Sequence, residues 1–191
     1  MPIQYKNRKN QTYHLHQGTT KTGKPKYFFS LKSKGTVVDI IPDGFEIYEN
    51  PNARVFLRRV RPQIITEDEI KTVKQGMKRH GSLKYYQIDV KKNVLIVYTA
   101  DQNIDMIAEL LAQAPSAKEK GVEQLLEEII TYSPMLQFVL IDKGKRTFMT
   151  QRYSFLGSID DWVDIGEPAA LEKLVKKYVK HLEQDSYYSL Y

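Results

Sequence analysis

Tyr85-Tyr86-Gln87-Ile88-Asp89-Val90-Lys91-Lys92-Asn93-Val94-Leu95-Ile96-Val97-Tyr98 is two β-prone runs around a Lys-Lys-Asn turn. The stretch predicts a hairpin of Tyr85–Val90 and Val94–Tyr98. A second strand–turn–strand pattern follows at Leu136–Ile141 and Arg146–Tyr153, around Asp142-Lys143-Gly144-Lys145. Both hairpins carry an Ile-Asp pair before a lysine-bearing turn (Ile88-Asp89 and Ile141-Asp142), which points to one four-stranded antiparallel sheet.

Between and around the hairpins the period changes from 2 to 3.6. Thr66-Glu67-Asp68-Glu69 has the form of a capping box, with Ile65 and Ile70 placed as a hydrophobic staple. The helix it starts runs on Ile70, Val73 and Met77 to Gly81, with Lys71, Lys74, Lys78 and Arg79 on its other side. A second helix follows on Ile104, Ile107, Ala108 and Leu111, with Asp101 as its expected N-cap. A third, on Val122, Leu125, Leu126, Ile129 and Ile130, is expected to close at Pro134. The last begins near Pro168, on Leu171, Leu174, Val175, Tyr178, Val179 and Leu182, with Lys173, Lys176, Lys177 and Lys180 outside. The acids before it, Asp160, Asp161, Asp164 and Glu167 around Trp162, read as a loop leading into that helix. The aromatic tail Tyr187–Tyr191 is expected to dock on the body.

Upstream of Arg61-Pro62 the chain reads as short antiparallel strands: Thr12–Gln17, Lys26–Leu31, Thr36–Ile41 and Arg54–Val60, with Thr22-Gly23-Lys24-Pro25 in the first turn. The fold class is therefore α+β. A basic, mostly-β N-terminal unit spans residues 1–62. An α+β body with about four helices and ββααββα order spans residues 63–191.

Charge is distributed unevenly. Residues 1–62 carry 12 Lys/Arg against 4 Asp/Glu, and the first acid is Asp39; residues 63–134 carry 9 against 11, and residues 135–191 carry 8 of each. The net charge of +6 therefore sits in the first third. A segregated positive region speeds association with anionic partners. Its lysines alternate with Tyr13, Leu15, Tyr27, Phe28 and Phe29 at strand spacing, so the charge sits on a folded ribbon. Lys21, Lys24 and Lys26 on the hairpin, with Arg58 and Arg59 on the fourth strand, are the phosphate-contacting candidates, and Tyr27 is the stacking candidate. The expected partner is a DNA or RNA backbone, contacted by a non-enzymatic accessory protein. The alternative is an acidic protein, with the last helix or the aromatic tail as a second surface.

Other chemistry finds less. With no cysteine, thiolate chemistry and disulfides are excluded. His14 and His16 share a strand face as metal ligands would, but no third ligand is near, so no metal and no cofactor are expected. Asp89-Val90-Lys91, with Pro42-Asp43 as the other half, makes a metal-dependent nuclease the least unlikely enzyme. No glycine-rich phosphate loop and no nucleophile elbow occur. No apolar run approaches a membrane span, and the N-terminus lacks a leader-type apolar stretch, so a cytoplasmic, membrane-free protein is expected.

The run Ile41-Pro42-Asp43-Gly44-Phe45-Glu46-Ile47-Tyr48-Glu49-Asn50-Pro51-Asn52-Ala53-Arg54-Val55-Phe56-Leu57-Arg58-Arg59 resembles a signature of small uncharacterised bacterial proteins. Tyr13–Phe29, Gly157–Trp162 and Leu174–Lys177 share that resemblance, which implies no activity because none is assigned to the family. Residues 10–44 also resemble the three-stranded arm-DNA-binding domain of phage-type tyrosine recombinases. There too a Gly-Lys turn leads into an aromatic strand and then a short strand ending at Pro. No recombinase catalytic residues follow.

Overall fold

The fold is α+β. A computed structural model describes residues 1–156 and 159–190, and their strands are β1 (Gln4–Lys6), β2 (Thr12–Thr19), β3 (Pro25–Ser30), β4 (Phe45–Glu49) and β5 (Val55–Arg59). Next come α1 (Glu67–His80), β6 (Tyr86–Lys91), β7 (Val94–Ala100), α2 (Ile104–Ala112), α3 (Ala117–Lys120) and α4 (Val122–Ile129). The chain then forms β8 (Tyr132–Asp142), β9 (Thr147–Leu156), β10 (Ile159–Ala170) and α5 (Leu171–Tyr178), and ends in 3₁₀ turns at Val179–His181 and Asp185–Ser189. Gly157, Ser158 and Tyr191, cited above for the Gly157–Trp162 resemblance and for the tail, lie outside the described residues.

The chain divides into two units. Unit 1 is Met1–Arg61 with Gln102–Thr131, and unit 2 is Pro62–Asp101 with Tyr132–Tyr191. The helices α2 to α4, read from sequence as part of the body, therefore cluster with the basic N-terminal strands. α2 packs on α4 there, and its N-cap is Asn103, whose Oδ1 accepts from the Met106 N–H at 3.1 Å, rather than Asp101.

Unit 2 is built on one antiparallel meander in the order β10-β9-β8-β7-β6. The two expected hairpins are its four strands from β6 to β9, and β10 is a fifth. One face is apolar because the strand period places Leu95 opposite Phe138, Val97 opposite Leu136 and Leu140 opposite Phe148. Against these pack Val73 and Met77 of α1 and Leu174, Val175 and Tyr178 of α5, all buried. The acids from Asp160 to Glu167 do not form a loop. They belong to β10, where Ile165 is fully buried opposite Thr150 and Asp160, Trp162 and Asp164 point the other way. An edge strand tolerates such charge, and Pro168 falls at its bulge between Ile165 and Ala169. Pro134, expected to end a helix, sits instead in β8 opposite Tyr98, beside the Val97/Tyr98 bulge.

The start of α1 has the expected chemistry. The Thr66 N–H donates to Glu69 Oε2 at 2.8 Å and the Glu69 N–H to Thr66 Oγ1 at 3.3 Å. Arg146, held at φ +51 in the β8–β9 turn, donates from Nε to Glu69 Oε1 at 2.8 Å and from Nη2 to the Ile64 carbonyl at 3.2 Å. Burial pushes the Glu69 carboxyl up, but Arg146 and the Thr66 backbone outweigh it and leave its pKa below the usual value. A carboxylate with a lowered folded pKa stabilises above its unfolded pKa and loses that contribution as pH falls through the folded one. Glu69→Gln should therefore destabilise the protein in urea unfolding at pH 7, and the gap from wild type should close below about pH 4.

The α1–α5 contact leaves no space. A Cβ on Gly76 would lie 1.9 Å from Val175 Cγ1. Helix propensity alone favours Gly76→Ala by about 1 kcal/mol. The collision outweighs it, because overpacking costs about 1–3 kcal/mol or more. Gly76→Ala should lower the unfolding midpoint, and combining it with Val175→Ala should recover about 1 kcal/mol relative to the sum of the single changes.

Candidate nucleic-acid interface

Unit 1 holds the basic ribbon as a three-stranded sheet, β1-β2-β3. Leu15 pairs with Phe29, His16 with Phe28, Gln17 with Tyr27 and Gly18 with Lys26. Cross-strand partners share a face. One face therefore carries Leu15, which is fully buried, with Phe29 and Tyr27; the other carries His16, Phe28, Gly18 and Lys26.

The turn between the strands is closed by its own hydrogen bonds. The Thr20 N–H donates to the Lys24 carbonyl at 2.8 Å, the Gly23 N–H to the Thr20 carbonyl at 2.9 Å, and the Lys24 N–H to Thr20 Oγ1 at 3.1 Å. Gly23 sits at φ +78, where a side chain would be strained. Lys21, Lys24 and Lys26 are exposed on this fixed turn. Among the described residues no carboxylate pairs with any of them.

The aromatic positions resolve differently from the reading of Tyr27. Tyr27 is half-buried on the core side, while Phe28 is 42% exposed on the same face as Lys26. The Phe28 ring stacks on His16 with centroids 5.6 Å apart, and a Cβ on Gly18 would be 3.5 Å from Phe28 Cε1. His16 is buried and its Nε2–H donates to the Lys32 carbonyl at 2.8 Å. Its ring is thus a support for Phe28. Alternation separates Phe28 from Tyr27 in the sequence already, but only the fully buried Leu15 decides which parity faces water.

The third expected strand, Thr36–Ile41, is reduced to a single bridge between Val37 and His16. The backbone still runs beside β2, with the Gln17 N–H donating to the Thr36 carbonyl and the Val38 N–H to that of Leu15. The strand expected before Pro42 is therefore not formed. β1 takes the remaining place beside β2.

Arg58 and Arg59 lie on β5, which pairs with β4 and runs close to β3. Arg58 is engaged: its Nε is 2.8 Å from Glu46 Oε1 and its guanidinium is 4.0 Å from the Tyr48 ring centroid. Arg59 stacks over Phe45 at 5.5 Å and has no carboxylate partner among the described residues. Two other cations are consumed structurally. Arg8 donates from Nε to Glu49 Oε1 at 2.7 Å and from Nη2 to the Asn50 and Pro51 carbonyls at 2.6 and 2.9 Å. Lys9 donates to the Ile130 carbonyl at 2.8 Å, and burial, assisted by Arg8, lowers its pKa.

Arg8 is half of a clamp on the β4–β5 turn. Asn7 Nδ2 donates to the buried Ala53 carbonyl at 2.6 Å, and Asn50 Oδ1 accepts from the Asn52 and Arg54 N–H groups at 3.0 and 2.8 Å. Ala53 is buried at φ +61, so this turn is held by its contacts and not by glycine. The Glu49–Arg54 part of the signature-like run thus has a structural role. Asn7→Leu should destabilise unit 1 by about 1–3 kcal/mol, because the Ala53 carbonyl loses its buried donor. Chemical denaturation followed by tyrosine fluorescence would measure this.

Of the remaining sites, Asp89 is buried on β6 with Oδ2 3.6 Å from Lys91 Nζ. Asp43 belongs to unit 1 and Asp89 to unit 2. No three His, Cys, Asp or Glu residues group to hold a metal ion among the described residues. None of the described helices is long and apolar enough to cross a membrane. Comparison of the chain with protein-family models, with curated proteins and with solved structures finds no match.

Proposed function

We propose that this chain is a non-enzymatic accessory protein whose β2–β3 hairpin binds nucleic acid mainly through phosphates. The observation that carries the reading is the closed Thr20–Lys24 turn. It holds Lys21, Lys24 and Lys26 in water without carboxylate partners among the described residues, next to the exposed Phe28 ring. Lysines merely protecting a sheet edge need no fixed turn geometry and no exposed ring beside them. Each phosphate neutralised on a duplex releases about 0.9 counterion, so three lysines give a slope of log affinity on log salt near −2.7. Phe28 replaces Tyr27 as the stacking residue, and Arg59 is favoured over the ion-paired Arg58. The resemblance of residues 10–44 to a recombinase arm domain points the same way, through the hairpin alone.

Wild-type protein should be retained on heparin and should shift generic DNA or RNA at ~50 mM salt, weakening to roughly 1–100 μM at physiological salt. Changing Lys21, Lys24 and Lys26 to Ala should remove most of that salt dependence. Phe28→Ala should weaken single-strand binding by about 1–3 kcal/mol while affecting duplex less. No retention and no shift would end the reading. A partner that survives nuclease treatment, but is lost with the three lysines, would show an acidic protein in place of nucleic acid.

A further inference from the structure

Asp105 and Glu109 are the only polar residues of α2; the other seven of its nine positions are Ile, Leu, Met or Ala. A helix apolar nearly all round is ordinarily an interior one. Yet no residue of α2 is buried. Helical period sorts its side chains into rows. Ile104, Ile107, Ala108 and Leu111 form one row and are half-buried. Met106 and Leu110, four apart, form a second and are 57% and 61% exposed. Asp105 and Glu109, also four apart, form a third, about 100° around the axis from the second, and are exposed.

Two features separate this face from an ordinary solvated one. Single exposed apolar residues are common, but two large ones in one row make a contiguous strip. The charge beside the strip is of one sign. From Asp101 to Ala117 the chain has no Lys, Arg or His. Residues 102–131, the helical segment of unit 1, carry 6 Asp/Glu against 2 Lys, the reverse of the basic strands in the same unit. One of those lysines, Lys120, is paired with Glu128 at 3.0 Å. Among the described residues no cation pairs with Asp105 or Glu109. A surface selected only for solubility interleaves both signs and keeps large apolar side chains apart.

We propose that the Met106–Leu110 face of α2 docks a basic amphipathic helix of a partner protein. The occupant follows from charge complementarity. Phosphates of nucleic acid and of anionic membranes are repelled by the Asp105–Glu109 row. A second α2 would bring two more carboxylates and no cation to the contact. A helix with an apolar stripe flanked by Lys or Arg meets both rows at once. Its apolar residues cover Met106 and Leu110, and its cations reach Asp105 and Glu109. Side chains three and four apart on such a helix match the four-residue repeat of α2. Methionine, unbranched and polarizable, adapts to the shape set against it. The inference goes beyond the nucleic-acid reading and does not depend on it.

Fluorescence anisotropy of a labelled Leu/Lys peptide of about 18 residues, its leucines spaced three and four apart, tests it with the full chain. Two control peptides carry Glu in place of Lys, or the same composition without the stripe. The Leu/Lys peptide should bind, and each control should bind at least about tenfold more weakly. Met106→Gln with Leu110→Gln should weaken binding about tenfold or more. Asp105→Asn with Glu109→Gln should weaken it less and flatten its salt dependence. All four residues are exposed, so both variants should keep the wild-type urea midpoint, which separates loss of binding from loss of fold. No binding of the Leu/Lys peptide by roughly 100 μM overturns the proposal, as does equal binding of a control or of the Met106/Leu110 variant. A wild-type dimer that the Met106/Leu110 variant dissociates also overturns it, in favour of a second copy. So does wild-type sedimentation with phosphatidylserine vesicles that this variant loses. Both variants should keep wild-type heparin retention; if wild type shows none while the peptide results hold, the nucleic-acid reading falls and this one stands.

Discussion

Gly76 lets α1 and α5 approach to a distance that no residue with a Cβ permits at that position, and unit 2 is organised around that contact. Because the helices touch through a glycine, Val73, Met77, Leu174 and Tyr178 all reach the same apolar sheet face. Helical period then dictates the rest. If one stripe of each helix is fixed on the sheet, the opposite stripe is fixed in water, and in both helices that stripe is lysine. The packing of the core and the placement of the charge are one constraint seen from two sides.

The same sheet explains the tail. The core-facing row of β9 changes character along the strand, from Phe148 through Thr150 and Arg152 to Ser154, all buried. Its polar end is covered by the chain after α5. Arg152 Nε donates to the Leu190 carbonyl at 3.0 Å, and the buried Tyr187 hydroxyl donates to the Met135 carbonyl, with the Tyr153 carbonyl 3.0 Å from the same oxygen. Burial raises the Tyr187 pKa far above its usual value. The tyrosine therefore stays a neutral donor, and the tail is a structural cover rather than a free aromatic segment.

In unit 1 the positive charge is sorted by partner. Arg8, Lys9 and Arg58 are spent on Glu49, the Ile130 carbonyl and Glu46. Lys21, Lys24, Lys26 and Arg59 are not. Net charge counts all seven alike, yet only the second group is free to release counterions to a ligand. The function proposed for the hairpin depends on this difference.

Much of the fold is legible in the order of residues, because local forces act over local distances. The capping box at Thr66, the two hairpins of unit 2, the apolar stripes of α1, α4 and α5 and the Thr20–Lys24 turn are each decided by neighbours within a few positions. The fifth strand was not legible. Asp160, Asp161 and Asp164 resemble a loop until β9 offers a paired edge, where alternate residues can point to water. Membership of α2 to α4 in unit 1 was hidden for the same reason, since chain order does not encode which surface a helix packs on. Sequence by itself determined that this protein is α+β and that its first third is basic. Tertiary structure decided which cations remain free and that Phe28 is more exposed than Tyr27. Those outcomes depend on pairings between residues far apart in the chain, and only the folded backbone brings them together.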